Sequence, residues 1–145
     1  FLTMHLDTIH IEVAYNVPAE KVWEALTLPD QIREWCFDVP AIATKEGDEF
    51  EFNRLGRKLI FLHRCKILES VDKALLKYTW NYPELMEGQS VVTWELIPRG
   101  SATSVRLTHE NLLNHKEGGE AFGVEKFEAG WGDVLKRSLT NYLEK

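Results

Sequence analysis

Residues 124–142 read Val124-Glu125-Lys126-Phe127-Glu128-Ala129-Gly130-Trp131-Gly132-Asp133-Val134-Leu135-Lys136-Arg137-Ser138-Leu139-Thr140-Asn141-Tyr142, and the architecture turns on them. Val124, Phe127, Trp131, Val134, Leu135, Ser138 and Tyr142 recur at three- and four-residue steps. That spacing sets them on one face of a helix. A helix of this length, apolar along one side, has to lie across an entire sheet to bury its stripe.

The sheet is read directly upstream. From residue 39 to 110 the pattern becomes alternating strands punctuated by turn residues. Val39 to Thr44 is a weak strand, and Glu46-Gly47-Asp48 turns the chain into Glu49 to Phe52. Asn53 to Lys58, with Gly56, is the next predicted turn. Leu59 to Glu69 places Leu59, Phe61, His63, Cys65 and Ile67 on one face. Leu75 to Tyr82 aligns Leu76, Tyr78, Trp80 and Tyr82; Ser90 to Ile97 aligns Val92, Trp94 and Leu96. Pro98 to Ser101 is a predicted turn, after which Thr103 to Glu110 aligns Val105, Leu107 and His109. Before all of these, Ile9 to Tyr15 is a strand, Ala19 to Leu26 a helix opened by Pro18, and Pro29 to Trp35 a second short helix. The expected class is α+β: a curved antiparallel sheet gripping a long C-terminal helix, with two short helices after the first strand. Residues 1–8 are expected to form a tail and 9–145 a single domain.

Composition bounds the function. With 44% apolar and 28% charged residues the 145-residue chain is globular rather than disordered. The net charge of −6 argues against a non-specific nucleic-acid binder, and no apolar run reaches the roughly 20 residues that cross a bilayer. Cys36 and Cys65 cannot build a disulfide framework and suit free thiols in a reducing compartment. The first residues have no charged segment followed by an apolar one of the signal-peptide kind, so the expected location is cytoplasmic.

Several segments together carry a family resemblance. Val17-Pro18-Ala19-Glu20-Lys21-Val22-Trp23-Glu24-Ala25-Leu26-Thr27 resembles the first helix of the SRPBCC (START-like) superfamily. Gly47-Asp48-Glu49-Phe50, Leu75 to Trp80, Val92 to Leu96, Thr103 to Glu110 and Ala129 to Leu135 follow in order. Within that superfamily the chain most resembles the Activator of Hsp90 ATPase homologue 1-like family. The resemblance implies a helix-grip fold with a cavity between sheet and C-terminal helix. Relatives use such cavities for lipids, polyketides or other apolar molecules, and some carry out cyclisation. Eukaryotic co-chaperones of the same family name stimulate the Hsp90 ATPase and carry an additional N-terminal domain. The family shares no catalytic motif, so no catalytic residue carries over.

The inward face is where chemistry has to lie. Strand parity places His63 and His109 on the same concave side as Tyr15, Tyr78, Trp80 and Trp94. Two imidazoles there can orient a polar ligand group or move a proton near neutral pH; equally, each can serve only a neighbouring backbone carbonyl or the wet mouth of a cavity. His63 and Cys65 two residues apart, with His109 as a third ligand, are the sole approach to a zinc spacing, and no metal or cofactor is assigned. Neither cysteine has a nucleophile's partner at motif spacing, and GxSxG, P-loop and GxGxxG motifs are missing from the sequence. Glu49, Glu51 and Glu95 fall on the outward face. Gly118-Gly119 is read as a loop, either a gate or a plain connection.

The candidate cavity residues are Trp35, Phe37, Phe52, Phe61, His63, Tyr78, Trp80, Trp94, His109, Phe127 and Trp131. Parity does not separate rings that line a pocket from rings that fill a core. The leading expectation is a non-enzymatic binder of a small apolar or aromatic molecule. A chaperone-associated module is the second expectation, and a cyclase- or hydrolase-like enzyme using His63 or His109 the third.

Overall fold

Alternation of apolar and polar side chains builds most of the molecule, as the computed structural model shows for residues 7–35, 45–55, 60–119 and 122–145; of residues 53–55, 60 and 61 it describes the backbone alone. β1 (Ile9–Tyr15) buries Ile9 and Tyr15 and exposes His10, Glu12 and Ala14. The period of two continues through β2 (Glu49–Leu55), β3 (Ile60–Val71), β4 (Leu75–Asn81), β5 (Gln89–Arg99) and β6 (Ala102–Glu110). In β3, His63, Cys65 and Ile67 are buried while Arg64, Lys66 and Leu68 face outward. Ser90, Val92, Trp94 and Leu96 are the buried row of β5.

The six strands make one antiparallel sheet in the order β1-β6-β5-β4-β3-β2. β2 to β6 run as a meander, and β1 closes on β6 with Ile9 opposite His109 and Tyr15 opposite Thr103. The β3–β4 register slips between Ile67 and Glu69, and such a bulge bends a strand, which suits a sheet that curves. Among the described residues no helix is long and apolar enough to cross a membrane.

Helices close the concave face. α1 (Ala19–Thr27) buries Val22, Trp23, Ala25 and Leu26, and α2 (Pro29–Trp35) buries Ile32 and Trp35. The Trp35 indole N–H donates to the Ala25 carbonyl at 2.9 Å, fixing one short helix to the other. After a 3₁₀ segment, Leu112–Gly118, come α3 (Val124–Asp133), a π-turn (Val134–Ser138) and α4 (Leu139–Leu143).

Four sequence expectations change. The expected turn at Pro98 is strand: Pro98 pairs with Thr103 and Arg99 with Ala102. The Leu96 N–H donates to Ala74 on the β4 side, so the position two residues on faces the same way, where β4 has already ended. A proline loses nothing at such an edge. β2 likewise continues to Leu55, paired with Ile60, rather than turning at Asn53. Of the expected Gly118-Gly119 loop, Gly118 ends the 3₁₀ segment and Gly119 follows it at a positive φ of 86°.

The C-terminal helix is interrupted, because the Leu139 N–H reaches back five residues to the Val134 carbonyl. That extra residue shifts the inward row, so Leu139 is fully buried and Ser138 only partly. The shift also leaves the Leu135 carbonyl accepting two hydroxyls, Tyr15 at 2.6 Å and Thr140 at 3.2 Å. Residues 39–44, Cys36, Phe37, Gly56 and the Phe61 side chain lie outside what the structure describes.

Candidate functional site

Inward positions on five strands contribute rings, and the rings meet. Phe52 on β2 stacks on His63 of β3 at 4.5 Å, and Trp80 of β4 stands edge-on to both, at 5.6 Å and 5.0 Å. Trp80 also reaches His109 of β6 at 5.4 Å and Trp131 of α3 at 5.4 Å. Trp131 continues to Trp94 of β5 at 5.7 Å, and Trp94 to Trp35 at 6.4 Å. Phe127 packs on His109 at 5.3 Å, and Tyr78 accepts a hydrogen bond from the Trp94 indole at 2.9 Å. The nine candidate residues whose side chains are described therefore form one connected cluster between sheet and helix, with edge-to-face geometry predominating.

Polar atoms inside this cluster are few and mostly matched. The Trp80 indole donates to the Tyr82 hydroxyl at 2.9 Å. The Trp131 indole donates to Nδ1 of His109 at 2.8 Å, and Nε2 of His109 lies 2.8 Å from Ser90 Oγ. Ser90 Oγ lies in turn 2.7 Å from Nε2 of His115. His115 is fully buried, yet its Nδ1 has no hydrogen-bond partner.

Burial sets the charge state of these groups. Desolvation, with His115 nearby, pushes His109 down to about 3. Desolvation alone takes His115 to about 4. Both are neutral at pH 7, and His109 has both ring nitrogens occupied, so it is no proton acceptor there. Burial also raises the Cys65 thiol well above its usual range, which removes its nucleophilic form. The result is a buried, close-packed set of rings with a few directed polar contacts among them.

The sequence puts His63, His109, Trp80 and Trp94 on one sheet face and Trp131 on the C-terminal helix stripe, and the structure brings these five into contact with one another. Tyr82, Ser90, Phe50, His115 and Phe122, which join them, are not among the candidates. Their side is legible for three of them, since Tyr82 lies two residues from Trp80, Phe50 two from Phe52 and Ser90 four from Trp94. His115 and Phe122 gave no signal, because they fall in a stretch without periodicity.

The family model described as Activator of Hsp90 ATPase homolog 1-like protein matches residues 16–144. A search of curated proteins finds no match. Among solved structures, DynU16, from the dynemicin biosynthetic locus, superposes with a TM-score of 0.77 at 22% identity. That match covers 96% of this chain and 48% of DynU16, so the chain spans about half the length of that relative. CalU16 from Micromonospora echinospora is 25% identical over 94% of this chain and 75% of its own, with a TM-score of 0.70. PFC0360w from Plasmodium falciparum, described as an HSP90 activator, is 20% identical over 95% of this chain and 96% of its own, with a TM-score of 0.74.

Proposed function

The chain belongs to the Activator of Hsp90 ATPase homolog 1-like family, and from that premise we propose that it binds a small apolar or aromatic molecule between the concave sheet face and the C-terminal helices. The observation that carries this reading is the connected cluster of inward rings from β2 to β6 and α3, into which only a few polar atoms project. Aromatic walls with a small number of directed polar groups are the usual make-up of a small-molecule site. The relation to DynU16, placed in a biosynthetic locus, supports small-molecule chemistry on this fold. We assign the site to one domain, residues 9–145, acting without cofactor.

Titration with apolar probes tests this. Saturable binding with a rise in Tm that grows with probe concentration is expected. Absence of both removes the proposal. A second reading, an Hsp90-associated module, draws on the family and on the likeness to PFC0360w. It requires stimulation of an Hsp90-type ATPase at saturating protein; on the ligand-binding account, none is expected.

A further inference from the structure

We propose that the molecule held in this site carries an acceptor oxygen on a flat apolar frame, and that the Nδ1–H of His115 is the group that recognises it. The inference rests on the apolar-ligand reading above and adds the polarity of one contact.

Proton positions follow along the hydrogen-bond chain from a fixed end. An indole N–H only donates, so its 2.8 Å contact makes Nδ1 of His109 an acceptor. A neutral imidazole that accepts at Nδ1 carries its proton on Nε2, and burial keeps His109 neutral. That Nε2–H is directed at Ser90 Oγ, 2.8 Å away. The serine hydroxyl has one proton to give. His115 Nε2 lies 2.7 Å from it and the Trp80 carbonyl 3.5 Å, so the hydroxyl donates to the histidine. His115 therefore accepts at Nε2 and holds its own proton at Nδ1. Among the described residues, Nδ1 of His115 is the buried side-chain polar atom left without a partner. A buried donor in that condition destabilises the empty protein, and an acceptor brought by a ligand relieves it.

The surroundings restrict the rest of the ligand. The Tyr82 ring stands edge-on to His115 at 5.1 Å, and Phe127 stacks against it at 5.9 Å with 29° between the planes. Phe122 backs Tyr82 at 4.8 Å. These neighbours are flat and apolar, which favours a neutral carbonyl or ether oxygen on an aromatic frame over a carboxylate, whose charge they would desolvate.

Fluorenone and fluorene form the test pair: one three-ring frame, with a carbonyl at one carbon in the first and a methylene in the second. Fluorenone is expected to bind the wild type about tenfold more tightly than fluorene, and the ratio is expected to fall to about one in His115→Phe. Should that variant not fold, two-bond ¹⁵N–¹H correlations on histidine-labelled wild type read the tautomers directly. They are expected to give Nε2–H for His109 and Nδ1–H for His115, with the His115 Nδ1 signal moving on addition of fluorenone and far less with fluorene. Equal affinities for the two probes, or His115 protonated at Nε2, overturn the assignment while leaving apolar binding in place. Binding of neither probe overturns both.

Discussion

His109 and His115 are neutral inside the protein, with pKa values near 3 and 4 against about 6.5 for a free imidazole. The folded values lie below the unfolded one, so as pH falls through 6.5 the unfolded chain takes up protons that the folded chain refuses. Stability from these residues is complete above pH 6.5 and drains away below it, down to about 4 for His115 and about 3 for His109. The slope from the two together is at most roughly 2–3 kcal/mol per pH unit. Urea unfolding between pH 7.5 and 4.5 checks this; a flat profile across that window contradicts it. Tyr15 is the other residue with leverage, since its hydroxyl meets the Leu135 carbonyl at the π-turn. Tyr15→Phe is expected to cost about 1–2 kcal/mol in the same measurement. How legible these residues were depended on their neighbours in sequence. His109 stands two residues beyond Leu107 on a clean strand and was placed by parity, whereas His115 sits in a 3₁₀ segment whose buried residues follow no helix or strand period.

Elements obey local rules until packing overrides them. The strands among the described residues match the sequence reading with small boundary errors because one face of each is buried and the other is wet. The π-turn was not legible, since Ser138 fits an α-helical repeat from Trp131 and only the five-residue hydrogen bond to Val134 shows that Leu139 takes the inward place. Glycines test the packing around these elements. A Cβ on Gly88 would come within 1.8 Å of the Asn114 carbonyl oxygen, where the β4–β5 loop crosses the 3₁₀ segment. Backbone cannot retreat cheaply there, so Gly88→Ala is expected to lower Tm markedly. Gly132 on α3 has open space where a Cβ would go. Gly132→Ala is expected to stabilise by about 0.5–1 kcal/mol through helix propensity alone. A thermal melt of the two variants should move in opposite directions, and movement in the same direction would count against the described packing.

At the scale of the whole molecule, a six-stranded sheet and its C-terminal helices bring rings from five strands and α3 into contact with one another. This arrangement was legible because the long C-terminal stripe and the inward strand rows need each other as partners. What lay beyond the sequence was how the polar atoms among those rings pair, since parity gives a side but no distance. The proposed binding requires that an apolar molecule enters this cluster. Titrating ¹⁵N-labelled protein with fluorenone while following the indole N–H signals of Trp80, Trp94 and Trp131 tests it most directly. Saturable shifts at these three indoles are predicted, while no saturable shift, or shifts confined to outward residues such as His10 and Thr108, would contradict the claim.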